Sequence, residues 1–435
     1  WSSRGRVPRA AVRLGLAGLT LARVAIAGLL AAAWPAAGQG CLRIAPEASL
    51  QASVDAAPEG SSLCLGPGRH RGPLRIGKRL LLRGEPGAWI VSSGSGSTVS
   101  VEADGVVLRH FGVDGSGGRF DLLDAAVHIQ ADEVRVEGLR IENALFGILA
   151  EQANRVVIRG NRVRGDPARA LGMRGDGIRL WEVRDSEIEG NTLVDSRDLV
   201  VWYSPGNYFR ANVVERSRYG THFMYSHDNV VEDGVFDRNV VGIFIMYSRG
   251  LALRRNRILR SGGAAGMGLG AKESGVLRVE SNRLLGNTTG IYLDTSPLYP
   301  DQENFFRGNE LRLGDTAVVF HGRAERNHFL RNRFRDNRRL VRMEGGGDAR
   351  AAEWRGNAYA DYRGYDLDGD GVGDLPYELR SLSQQLVGHH PPLAFFEGTA
   401  AMLAVEWLGH LVPLLRPRTL LVDPAPRLAL ELELP

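Results

Sequence analysis

Lysine, cysteine and long apolar runs are all scarce in this chain. Lys78 and Lys272 are the only lysines, so the 54 basic residues are almost all arginine; against 50 acidic ones the surplus is 54 − 50 = +4. So small an excess, scattered along 435 residues, gives no basic face of the kind nucleic acid requires. The two apolar stretches, near residues 24–33 and 394–415, fall short of the ~20 uninterrupted residues of a membrane span. Proline is sparse at 19 and no Gly-x-y period accompanies it, which excludes a collagen-like rod. No Gly-x-x-x-x-Gly-Lys-[Ser/Thr] occurs, so the chain has no P-loop with which to hydrolyse ATP. What is present is a core-forming composition, 43% apolar and 24% charged, with an excess of glycine. Its 55 glycines are roughly 13% of the chain against a usual ~7%, which signals many turns.

The first residues read as an export address. Arg4, Arg6, Arg9, Arg13 and Arg23 precede the apolar run Val24–Ala33, and the small residues Ala36, Ala37 and Gly38 follow. That is the layout of a cleaved signal peptide over residues 1–38. Export gives the two cysteines a context: an oxidising compartment lets Cys41 and Cys64 join and staple the mature N-terminus, although a thiol pair or a metal site uses the same residues.

Beyond residue 130 two marks recur. One is an asparagine before an apolar pair, as at Asn161, Asn191, Asn212, Asn256, Asn282, Asn309, Asn332 and Asn357; the other is a short strand opened by glycine, as at Gly147, Gly177, Gly220, Gly242 and Gly290. From Gly177 through Leu199 and Gly220 to Gly242 the steps are 21 to 22 residues. A unit of that size holding short alternating strands cannot close a core alone, but stacked copies bury a continuous apolar tube. The period predicts an all-β chain: a right-handed parallel β-helix of about twelve coils and on the order of 60 Å at the inter-strand spacing. The asparagines are expected at turns, in left-handed geometry, bonded to their copies above and below. The helix-forming stretch Leu50–Val54 is expected to cap the first coils. The β-helix is placed at 39–392, and an amphipathic helical tail at 393–435.

Aligned coils put Thr221 and Phe223, and Ile243 and Ile245, inside; His222, Met224, Phe244 and Met246 then point out. The outer face carries a column of Trp181, Trp202, Met224 and Met246, with Tyr203, Tyr225 and Tyr247 stacked alongside. Covered core filler, a docking patch and a transient Cu(I) site all fit that column; for the last, the thioethers of Met224 and Met246 with His222 and His227 are the soft ligands. Later, Asp366, Asp368, Asp370, the Val372 position and Asp374 follow the ligand spacing of a calcium loop within residues 366–377, although Tyr377 stands where the bidentate glutamate belongs. Such a loop fastens the end of the β-helix. The tail presents Trp407, Leu408 and Leu411 at helical spacing, a face suited to docking.

Secreted β-helices include polysaccharide lyases and epimerases, and His222, His227 and Asp228, with Asp195 and Asp198 one coil earlier, keep that enzyme alternative open. The Asp-Pro-His-Asp motif of alginate epimerases is absent. Taken in order, the export segment, the entry region Leu50–Gly84, His222-Phe-Met-Tyr-Ser226, Ile245-Met-Tyr-Ser248, Gly290-Ile-Tyr-Leu-Asp294 and Tyr365-Asp-Leu-Asp-Gly-Asp-Gly-Val-Gly-Asp374 resemble the NosD family, the periplasmic maturation factors of nitrous oxide reductase. The resemblance spans nearly the whole mature chain. It implies an accessory protein and not an enzyme, held at the inner membrane through an ABC-type transporter. The partners it implies are that transporter's membrane subunit and ATPase, a copper chaperone lipoprotein and the reductase. Trp407 and its neighbours would then seat on the membrane subunit, and the Met224 and Met246 coils would face chaperone or reductase. Cu(I) in transit, and calcium as a structural ion, are the cofactors expected.

Overall fold

The computed structural model describes residues 40–344 and 347–428. The expected signal peptide, residues 1–38, lies outside them, as does the end of the tail. From Leu42 onward the chain winds into about fourteen coils whose short strands stack into three parallel sheets of fourteen, twelve and thirteen strands. The coil length set by register is 21 or 22 residues from Glu187 through Tyr208 and Val230 to Ala252, and 26 from there to Arg278. This is the parallel β-solenoid that the period predicts.

Alternation decides which side chains fill the tube. In the twelve-stranded sheet Thr221, Ile243, Leu269, Ile291, Val318 and Val341 stack inward in register. So do Phe223, Ile245, Ala271, Leu293 and Phe320, and all of these are buried. Each apolar side chain fully buried in this way contributes about 1.5–3 kcal/mol. The strand-opening glycines mark where successive coils come closest. A Cβ on Gly220 would lie 2.3 Å from the Gly242 carbonyl oxygen, and one on Gly242 would lie 2.5 Å from that of Gly268.

The recurring asparagines are buried and form a ladder. Asn256 donates through Nδ2 to Oδ1 of Asn282 at 2.9 Å, Asn282 to Asn309 at 3.0 Å, Asn309 to Asn332 at 3.0 Å and Asn332 to Asn357 at 3.1 Å. Asn161, Asn191 and Asn212 make the same run nearer the N-terminus. The ladder skips Gly234, where a Cβ would lie 2.9 Å from the Phe236 ring. Left-handed geometry falls not on the asparagine, as expected, but on the residue before it: φ is 52° at Arg255, 56° at Ser281 and 56° at Arg331. The turn must reverse before the amide can point into the stack.

The helix Leu50–Ala56, with Ser49 as its N-cap, packs Leu50 and Val54 onto the first coils. Both Cys41 and Cys64 are disulfide-bonded. At the other end the last coil strand is Ala358–Tyr359, so the coils stop well before the 392 anticipated. Two α-helices follow, Leu382–His389 and Ala400–Leu411, joined by a 3-10 turn. The tail is not helical throughout: Thr419–Asp423 returns as a strand and pairs antiparallel with Tyr377–Arg380. That return delivers Asp423, fully buried, to the open end of the ladder. Its carboxylate accepts from the amide of Asn357 at 2.9 Å, from Asn357 Nδ2 at 3.0 Å and from the Tyr359 hydroxyl at 3.1 Å. No helix among the described residues is long and apolar enough to cross a membrane.

Candidate functional site

The outward-facing rows of the twelve-stranded sheet bring most of the singled-out residues onto one face. Trp181, Trp202, Met224 and Met246 are successive partners in the parallel register, and one step along each strand His222 lies beside Phe244. Tyr203, Tyr225 and Tyr247 stack at 5.3 and 5.0 Å between ring centroids, nearly parallel. Trp181, Trp202, Met224 and Met246 are half-buried, not exposed as the alternation suggests, because neighbouring side chains tile over one another, whereas Tyr203 and Tyr225 are exposed. Trp181 meets Trp202 at 5.9 Å and Tyr203 at 5.2 Å, and the Arg179 guanidinium lies 4.7 Å from the Trp202 ring centre.

At the centre of this face His222 is only 7% exposed. Its ring lies 4.7 Å from Tyr219 and stacks at 6.0 Å on Phe244, and those two rings stack on each other at 5.6 Å, so the three form a triangular cluster. The Trp202 indole N–H donates to Nδ1 at 3.3 Å, and Nε2 lies 3.2 Å from the Met246 sulfur. Burial first, and the nearby Arg218 second, push the imidazole down to about 4, so it is neutral at pH 7. His227, by contrast, does not join this group: its Nδ1 accepts from the Arg249 amide at 3.2 Å at the coil corner.

Two features of this face escaped the sequence reading. Met267 reaches over Gly270, where a Cβ would lie 2.7 Å from the Met267 sulfur and 2.4 Å from the Phe244 ring. The missing side chain at Gly270 is what makes room, and a lone glycine at an outward position was the available signal. Beside the tryptophans lies a buried charge cluster. Asp176 holds Arg197 at 2.9 Å and Arg179 at 3.1 Å, and Asp198 holds Arg218. Burial pushes the Asp176 carboxyl above its ordinary range against the pull of Arg197. Opposite charges one coil apart, at 176 and 197 and at 198 and 218, were the signal. Asp195 is engaged by Arg216 at 2.8 Å.

The acidic loop brings Asp366, Asp368 and Asp370 within 4.8 Å of one another. Much of their oxygen capacity is taken by the turn itself: Asp366 accepts from the amides of Gly369 at 2.7 Å and Gly371 at 2.9 Å, and Asp370 from that of Val372 at 2.7 Å. Asp374 stands apart from the trio and caps the Leu367 amide at 2.7 Å. In the helical tail Trp407 is 69% and Leu403 66% exposed, with Leu408 and Leu411 beside them, so one face of Ala400–Leu411 is apolar and uncovered.

Residues 160–364, which include the whole aromatic and thioether face, match the family described as periplasmic copper-binding protein (NosD). A probable ABC transporter binding protein NosD from Pseudomonas aeruginosa is 28% identical over 392 residues, 81% of this chain and 85% of its own. Its namesake from Stutzerimonas stutzeri is 26% identical over 368 residues, 80% of this chain and 83% of its own. The chain is thus similar to NosD proteins over about four-fifths of its length. The catalytic unit of an α-1,3-glucanase from Streptomyces thermodiastaticus, 18% identical with a TM-score of 0.52 over 73% of this chain and 66% of that one, shares the fold alone. Since the matched family is described as copper-binding, donor chemistry is the test of fit. A neutral imidazole in contact with a thioether, and a second thioether one coil away, is a soft uncharged set of the kind Cu(I) takes.

Proposed function

We propose that this chain is a non-catalytic periplasmic scaffold of an ABC-type transporter complex, one that receives Cu(I) as cargo and presents it for the copper centres of nitrous oxide reductase. The contact between His222 Nε2 and the Met246 sulfur carries the reading, since both atoms are soft donors held in a water-poor aromatic pocket. His222, Met246 and the register neighbour Met224 would hold the ion; His227, bonded at the corner, would not. The half-buried Trp181 and Trp202 and the more exposed tyrosine stack around this pair would receive a copper chaperone lipoprotein on one side of the transfer and the reductase on the other. The uncovered face of Ala400–Leu411, with Trp407, Leu408 and Leu411, would seat on the membrane subunit, whose ATPase supplies the energy. Calcium at the Asp366 loop has only the convergence of three carboxylates behind it and forms no part of the proposal.

The carbohydrate-enzyme alternative fares worse on the same face. Asp198 and Asp176 are fully buried and neutralised by arginines, and Asp195 is held by Arg216, which leaves no free carboxylate among them to act as acid or base. The test is an anaerobic Cu(I) titration of the mature chain against a competing chelator, beside Met224→Ala/Met246→Ala and His222→Ala. Binding by the wild type that drops at least tenfold in both variants is expected; equal retention by all three would refute the site.

A further inference from the structure

The two donor atoms of the proposed copper site face each other through a hydrogen bond whose direction is fixed by a third residue. A tryptophan indole can only donate, so the 3.3 Å contact from Trp202 Nε1 makes Nδ1 of His222 the acceptor and therefore unprotonated. The one remaining ring proton sits on Nε2, which lies 3.2 Å from the Met246 sulfur. The nitrogen that faces the thioether thus carries a hydrogen instead of offering a lone pair. The ring is 7% exposed, with Tyr219 and Phe244 packed against it, and that burial opposes turning it over to exchange the nitrogens.

From this geometry we infer that Trp202 is a positioning residue that keeps the copper site closed, by locking His222 in the tautomer that hydrogen-bonds Met246. The inference rests on the copper reading above. To ligate through Nε2 the ring must move its proton to Nδ1, where it would meet the Trp202 N–H head on, so the indole must swing away. The exchange is balanced: the imidazole loses a proton from one nitrogen and gains it on the other, the Nε2–H bond and the Trp202 hydrogen bond break, and nothing is released to solvent. A partner that pulls Trp202 out of the face would open the site, and its departure would close it. Trp202 belongs to the surface on which the chaperone or reductase is proposed to dock, so loading and release would be coupled to docking.

The test begins on the metal-free wild-type chain, with nitrogen-15 NMR of labelled histidine to read the tautomer of His222, and continues with Trp202→Phe and Trp202→Leu, which remove the indole donor. The wild type is expected to show Nε2–H alone, and both variants a mixture containing Nδ1–H. In the anaerobic competition titration both variants are expected to hold Cu(I) roughly tenfold more tightly, the scale of one buried hydrogen bond no longer sacrificed. An Nδ1–H tautomer in the wild type, or unchanged Cu(I) affinity in variants that fold, would overturn the gate. Failure of every form to bind copper, with the Nε2–H tautomer seen as expected, would instead overturn the copper reading on which the gate depends.

Discussion

The asparagine ladder makes a prediction with a magnitude that follows from its bonds. Asn282 accepts at Oδ1 from the amide and Nδ2 of Asn256, both at 2.9 Å, and donates through Nδ2 to the Leu253 carbonyl at 3.0 Å and to Asn309 at 3.0 Å. Asn282→Ala removes these four and the bond from Nδ2 to the Glu280 carbonyl at 3.1 Å. Two of the stranded groups keep another bond: Asn256 Nδ2 still donates to the Val231 carbonyl, and Asn309 Oδ1 still accepts from the residue 282 amide. The buried Asn256 amide loses the acceptor it has here. One orphaned donor costs about 1–3 kcal/mol and each bond lost elsewhere about 1 kcal/mol at most, so a loss of roughly 3 kcal/mol is expected. Long repeat arrays can unfold piecewise, so the assay should combine urea unfolding with amide hydrogen exchange at residue 256. The amide should pass from strongly protected to fast-exchanging. A loss below about 1 kcal/mol with protection retained would refute the account of the ladder as a load on the core.

Two further outcomes concern the functional face and the tail. Because the folded His222 titrates near 4 and an unfolded histidine near 6.5, the unfolded chain binds the proton first as pH falls; the stability tied to the neutral ring is intact above about 6.5 and is lost between there and 4, up to about 3 kcal/mol. His222→Gln should flatten that part of the urea midpoint against pH, and parallel curves for the two proteins would sink the assignment. Trp407→Glu, at a 69% exposed position, should leave rod stability within about 0.5 kcal/mol but abolish co-purification with the transporter membrane subunit in detergent; undiminished co-purification would show that the helix face docks elsewhere.

The coil architecture was legible because stacking converts a three-dimensional repeat into a one-dimensional one. Asn256, Asn282 and Asn309 recur in sequence since each must meet its copy, and Gly220 and Gly242 recur since each lies under a carbonyl of the next coil. The face was legible only in part. Alternation placed Trp202, His222 and Met246 outward, but their mutual contacts depend on ring rotamers and on the room left at Gly270, which no period encodes. His227 misled because it follows the same Tyr-Ser turn while the chain has already rounded the corner there. The return of Thr419–Asp423 was hidden for a different reason: it pairs only once, antiparallel and across a helical excursion, so nothing repeats to announce it.

Asp423 at the end of the ladder makes the number of coils a free variable. Every amide from Asn256 to Asn357 hands its hydrogen bond on in the same direction, and only the last recipient must be a group that accepts without donating. A coil could be duplicated or deleted within that run without rewriting either terminus, since the new junction would present the same amide to the same neighbour. The His222 and Met246 pair occupies two successive coils and would be carried through such a change intact. Distance between the helix Ala400–Leu411 and the His222 face could therefore be adjusted in increments of one strand spacing, about 4.8 Å, by changes in gene length alone.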